Sequence, residues 1–310
     1  MKPIYYLSIL LMVAFLSSCG GGSQEEAPEE EAAEAAITPS GRQLQLTETG
    51  VASPESIITD GTHYYIANVG PKLEPSEKDG DGFIMKMDAE GNVIEEAFIS
   101  GLDAPKGMGI INGMLYVADV DKVRSFELAT GAAGSVIDFE SKGTAFLNDI
   151  AVRSDKELFV SATDISKIYL VNLTDGSFEE ITTEPNVFKP NGLAYDDATR
   201  KLYVTTFPPD PTGVVGVIEF GGAKGNKFTV LTPNTYVGLL DGIAVLGDKV
   251  FFTDWNRGAL LVLDLTTSQL GGYPMPVEQI GGPADFLLDL DKGEFWIPGM
   301  QENSISIQSL

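Results

Sequence analysis

The sequence predicts an all-β chain folded as a six-bladed β-propeller of four-stranded blades. A two-strand phrase, a polar residue opening a short apolar strand followed by a turn and a second apolar strand, occurs six times. Its copies are separated by 42 to 51 residues, within the range of propeller blades and solenoid repeats. Between copies the chain alternates short apolar runs with Gly, Asp and Asn turns and shows no helical periodicity.

The clearest copy is Pro190-Asn191-Gly192-Leu193 with Leu202-Tyr203-Val204. The others begin at Glu55, Lys106, Asn148, Asp241 and Ala284, each with its own second run, such as Leu115-Tyr116-Val117 and Val250-Phe251-Phe252. Blade one reads as strands near 56–60, 63–68, 83–88 and 93–99. The sixth copy ends after three strands. The alternating stretch at 43–48 is the natural fourth strand of that blade, so an N-terminal strand closes the ring and removes an open sheet edge.

Ahead of the propeller, residues 1–18 read as a targeting segment, with Lys2 before the apolar run Ile4 to Leu16. Leu16-Ser17-Ser18-Cys19 resembles a bacterial lipobox, which implies cleavage before Cys19 and lipidation there. Residues 19–40, with six glutamates among alanines and prolines, bury too little to offset their ordering entropy and read as a tether. The folded domain is then 41–310, expected as a monomer in the cell envelope that meets the membrane only through its N-terminal lipid.

Cys19 is the single cysteine, so no disulfide forms within the chain. A formal charge of −25 excludes nucleic acid as a partner, because its binding needs Lys and Arg to displace counterions. A small-molecule ligand or substrate is the expected partner.

In a propeller the first strand of each blade lines the central channel, so the six opening residues ring one of its mouths. Glu55, Asn148, Asn191 and Asp241 offer oxygen there. Converging carboxylates repel unless a cation lies between them. An all-oxygen set suits a hard divalent cation, calcium first, with magnesium, manganese or zinc as further candidates. Lys106 stands in the same ring, and its ammonium could neutralise Glu55 and Asp241 without any metal. Both readings follow from the residues. The only histidine, His63, falls at a turn, and no Gly-x-Ser-x-Gly elbow is present, which argues against a serine triad.

These motifs together resemble the SMP-30/gluconolactonase/regucalcin-like propellers over nearly the whole folded part. The resemblance implies that Glu55 in Pro-Glu-Ser, Asn191 in Pro-Asn-Gly-Leu and Asp241 in Leu-Asp-Gly-Ile hold the metal, with Asp241 also the catalytic base. It implies substrate binding by Asn148 in Phe146-Leu147-Asn148-Asp149. The chain departs from the family where Phe146 replaces a substrate-binding Arg, a role Lys106 could take over. The implied activity is metal-dependent hydrolysis of a lactone or related ester. The alternative is a non-catalytic, NHL-like binding propeller held at the cell envelope.

Insertions at Val69–Gly82 and Pro208–Val215 lengthen blades one and four between their second and third strands, and are expected to form a partial lid at the same mouth. Phe146, Phe207, Tyr236 and Trp255 are candidate pocket walls. Asp119, Asp164 and Asp254 recur after second strands, a position that suggests a repeated hydrogen-bonding role. Asp79-Gly80-Asp81-Gly82 reads as a turn.

Overall fold

A computed structural model describes residues 41–310, apart from 47, 48, 223, 224, 234, 235 and 237. The targeting segment, Cys19 and the tether lie outside the described residues. Six sheets make up the six blades, antiparallel apart from one short added strand, and in each the strand that opens the repeat stands at one edge, the inner one. Among the described residues the only helix is one 3₁₀ turn, Glu140–Lys142, and no helix is long and apolar enough to cross a membrane.

Blade one comprises Pro54–Thr59, Tyr64–Asn68, Gly82–Met87 and Val93–Leu102, within a few residues of the sequence expectation. The last sheet pairs Gly41–Gln45 with Ser304–Ser309, so the N-terminal strand closes blade six as expected. That seam is well filled. Trp296 of blade six stacks on Tyr64 of blade one with ring centroids 4.2 Å apart, and the Tyr64 hydroxyl donates to Asp289. Leu46, Ile57, Met85 and Ile305 complete the same cluster.

Blade four departs from the four-strand pattern. A two-residue strand, Thr183–Glu184, adds in parallel to Gly225–Val230 and makes a fifth. Two residues are too short to carry a periodicity, which is why the sequence does not show it.

The feature that places the site is a β-bulge at the start of the inner strands. The pairing shifts register between Pro54 and Ser56, Pro105 and Met108, Leu147 and Ile150, Pro190 and Leu193, and Leu240 and Ile243. A bulge inserts one extra residue and re-aims its side chain. Each opening residue from Glu55 to Asp241 falls inside such a bulge.

A bulge leaves an N–H outside the ladder, and buried polar groups need partners. In blades three to five a hydroxyl from the second strand supplies one. The Ser161 Oγ accepts from Asp149 N, the Thr205 Oγ1 from Gly192 N and the Thr253 Oγ1 from Gly242 N, at 2.8 to 2.9 Å. Each hydroxyl then donates to the next blade, Ser161 to Asn191 O, Thr205 to Asp241 O and Thr253 to Ala284 O.

The glycine after the opening residue has a packing cause. A Cβ on Gly192 would lie 2.3 Å from the Asp241 carbonyl oxygen, and one on Gly107 2.5 Å from the Asp149 Cα. Neither position admits a side chain.

Replacing Thr205 by Val keeps the shape and removes both hydrogen bonds. Buried groups left unpaired cost about 1–3 kcal/mol each. Thr205→Val should therefore lower the unfolding free energy by about 2 kcal/mol or more, measured by chemical denaturation, whereas the exposed Thr199→Val should change it little.

Candidate functional site

The bulges bring Glu55, Lys106, Asn148, Asn191 and Asp241 to the floor of one cavity of about 420 Å³ at the channel mouth. All five side chains are buried. Ala284, the sixth ring member, is buried in a neighbouring apolar cluster with Val69, Val120 and Met300.

Three oxygens stand out. Glu55 Oε2, Asn191 Oδ1 and Asp241 Oδ1 are buried and accept no hydrogen bond. The Asn191 amide is oriented by its Nδ2, which donates to Leu240 O at 3.2 Å, so its oxygen is the atom left over. Native interiors rarely leave acceptors unpaired. Here three do so at one place, and they belong to the three residues that the sequence resemblance assigns to a cation.

Lys106 acts on these carboxylates through its field and not through a direct ion pair. It is 1% exposed, its Nζ donates to Ala104 O at 2.9 Å, and it lies over the Phe146 ring at 4.7 Å. Among the described residues no carboxylate lies within ion-pair distance of it. Phe146, in place of the arginine implied by the resemblance, thus holds the lysine through a cation–π contact.

The electrostatics match this arrangement. Burial, with Asp241 adding, holds Glu55 well above the usual carboxylate range, and Lys106 opposes. Burial, with Asp285 adding, pushes Asp241 up to about 8 against the lowering effect of Asn191 and Lys106. Burial pulls Lys106 down to about 8, with Glu55 opposing.

The donor set consists of two carboxylates and amide oxygens. Among the described residues no three His, Cys, Asp or Glu side chains gather as a metal-binding group. Oxygens of this kind suit a hard cation, and the orphaned atoms of Glu55, Asn191 and Asp241 fit one.

Above the floor, Leu73 and Pro75 from the first insertion and Pro208 and Pro209 from the second line the cavity with Phe146, Phe207 and Trp255. Both insertions therefore reach the same cavity, as expected. Tyr236 is a correction. It is not part of this cavity; its hydroxyl donates to Asp254, and its ring packs edge-on against Phe252. An aromatic residue near a strand end can turn to either side, and here the Asp254 carboxylate selects the side.

Asp119 and Asp164 have the expected structural role. Asp119 accepts from Asp103 N and Ala104 N, and Asp164 from Thr144 Oγ1 and Ala145 N, which ties down the segment before the inner strand. Asp254 accepts from Asn256 N and Arg257 N.

Two carboxylates were given no role by the sequence reading. Asp149 and Asp285, each one residue past a ring position, lie in the channel and also line a depression at the opposite mouth. Asp149 accepts from Ile150 N and Leu193 N at 2.6 Å, and Asp285 accepts from Ser56 Oγ at 2.8 Å. Burial holds Asp149 well above the usual range and raises Asp285 to about 6. The series Ser56, Gly107, Asp149, Gly192, Gly242, Asp285 was the available signal.

The sequence matches no protein-family model and no curated protein. The fold does match solved structures. A catalytically inactive variant of virginiamycin B lyase from Staphylococcus aureus, with quinupristin, is 16% identical with a TM-score of 0.59, covering 88% of this chain and 100% of that one. A streptogramin B lyase is 16% identical with a TM-score of 0.57, covering 88% and 98%. An auxiliary nutrient binding protein from Bacteroides thetaiotaomicron is 8% identical with a TM-score of 0.63, covering 84% and 69%. Likeness at this level establishes the propeller fold and leaves the chemistry to the site.

The raised carboxylates set a pH dependence. Asp241 rises from 3.8 to about 8, so the folded state binds more protons than the unfolded state between these values. Stability should then fall as pH rises through that window. Asp285 acts in the same direction up to about 6, whereas Lys106 acts only above about 8. In chelator, the wild-type melting temperature should fall between about pH 4 and pH 8, and Asp241→Asn should flatten that slope.

Proposed function

We propose that this chain is a hydrolase of lactones or related esters that uses a divalent cation held by Glu55, Asn191 and Asp241. The observation that carries the reading is the convergence of three orphaned, buried oxygens on the floor of a largely apolar cavity. Calcium is the best fit to carboxylate and amide oxygens. Such a cation would polarise a carbonyl and acidify a water molecule.

The chain's own residues supply the remaining steps. Asp241 is ionised, and able to take a proton from water, when positive charge offsets Glu55 and Asp285. The water oxygen bonds to the carbonyl carbon as its proton passes to Asp241. The ring or ester C–O bond then breaks, and the proton passes from Asp241 to the leaving oxygen. Asn148 can donate its amide N–H to the substrate carbonyl. Lys106 faces the same floor and can pair with the carboxylate product. Phe146 holds Lys106 in place, and the two insertions shield the site from bulk water.

Two observations favour a second reading, a non-catalytic ligand-binding propeller. Phe146 stands where the family resemblance implies an arginine, and one structural neighbour is a nutrient-binding protein. Under either reading, the lipobox at Cys19 would tether the domain to the cell envelope.

Metal analysis of the purified full-length protein, with thermal melts before and after chelation, tests the cation. A stoichiometric divalent ion is expected, and its removal should lower the melting temperature. No bound ion, and no response to added calcium, magnesium, manganese or zinc, would sink the proposal. Asp241→Asn should reduce hydrolysis at least 10²-fold, within the usual range for a general base. A fully active, folded Asp241→Asn protein would exclude Asp241 as the base.

A further inference from the structure

We propose that this cavity selects a carbonyl ligand carrying an apolar chain or ring over a polyhydroxylated one. The inference deepens the hydrolase reading and rests on it for the chemistry, though not for ligand choice. The walls are contributed by Leu73, Phe146, Phe207, Pro208, Leu239 and Trp255, and Phe207 meets Trp255 edge-on with centroids 6.3 Å apart. Leu73 is 43% exposed at the mouth, on the blade-one insertion. At about 420 Å³ the cavity lies within the range that holds a small organic molecule.

The polar groups on the walls each have a protein partner. The Thr163 hydroxyl donates to Pro190 O at 2.7 Å, and Lys189 Nζ donates to Asp164 O at 2.6 Å. The Asp164 carboxylate accepts from Thr144 Oγ1, Ala145 N and Ile165 N. The fully buried polar atoms of this cavity without a protein partner are on the floor, at Glu55, Asn191 and Asp241, beside the Asn148 amide.

The cavity is therefore polar at one end and apolar towards its mouth. A ligand that matches it places its carbonyl at the floor and its hydrocarbon between Phe146, Phe207 and Trp255. A sugar lactone would set several hydroxyls against rings and prolines, and buried hydroxyls without partners are strongly disfavoured. Each methylene buried in such a throat adds about fourfold in affinity, the equivalent of ~0.8 kcal/mol.

The test uses the full-length protein and a γ-lactone series from butyro- to decanolactone, beside glucono-1,5-lactone. Hydrolysis is followed with a pH indicator, and binding by fluorescence quenching, with Trp255→Phe identifying the signal of the cavity tryptophan. The expected result is kcat/KM rising about fourfold per methylene until the throat is filled, with the sugar lactone poorest. Phe207→Ala should reduce that gain, and Leu73→Ser on the exposed loop repeats the test if Phe207→Ala does not fold.

A flat series, or preference for glucono-1,5-lactone, overturns the inference and leaves the hydrolase reading standing. No hydrolysis, but quenching that tightens with chain length, sinks the hydrolase reading and supports the ligand class. Absence of both hydrolysis and quenching overturns both.

Discussion

The site depends on the hydroxyl clasps between blades three, four, five and six. Ser161, Thr205 and Thr253 each sit opposite a bulge on their own inner strand and satisfy the N–H that the bulge displaces. The same oxygen donates to the carbonyl of the ring residue on the following blade. Asn191 and Asp241 are therefore positioned by the blades before them, and the relative placement of their side chains is fixed through the backbone. Blade one enters the set differently, through Asp285 N donating to Glu55 O and Ser56 Oγ donating to Asp285. The seam where the ring closes thus carries both the apolar stack of Tyr64 on Trp296 and the polar link that sets Glu55.

This arrangement has an electrostatic consequence. Lys106 could offset the charge more fully by pairing directly with Glu55 or Asp241. It is instead occupied by Ala104 O and the face of Phe146. The carboxylates respond by favouring their protonated forms, as buried and mutually repelling acids do. The same repulsion reaches down the channel, where Asp285 raises Asp241 and Glu55, and Asp149 responds to Asp285. Positive charge placed at the orphaned oxygens would relieve all of these groups together, which is the electrostatic basis of the cation proposed above.

Most of the architecture was legible in the sequence because propeller blades repeat. Spacing alone placed Glu55, Lys106, Asn148, Asn191 and Asp241 at one mouth, and the short final copy pointed to closure by the N-terminal strand. Side-chain direction was less legible. A strand's period of two tells which residues share a face, but a bulge interrupts that period at the position where the site begins. Nothing in Asn148-Asp149 by itself says which residue points to the mouth and which down the channel. Tyr236 was misplaced for a related reason, since its orientation is set by Asp254, eighteen residues away. The parallel strand Thr183–Glu184 was invisible because two residues carry no pattern.

The glycines change how the family resemblance should be weighed. Asn-Gly and Asp-Gly look like ligand motifs, yet Gly192 is required because the Asp241 carbonyl leaves no room for a Cβ, and Gly107 because Asp149 crowds it. Lys106-Gly107 has the same form without a ligand oxygen. Any propeller whose inner strands approach this closely would select glycine there whatever its function. The chemical information in these motifs therefore rests on the polar member alone. Glu55, Asn191 and Asp241 are distinguished from Lys106 and Asn148 by a property that no motif encodes, a buried oxygen with nothing to accept. That property underlies the cation proposed for these three residues, and it arises from the clasps and bulges that hold them, not from the pairs of letters in which they occur.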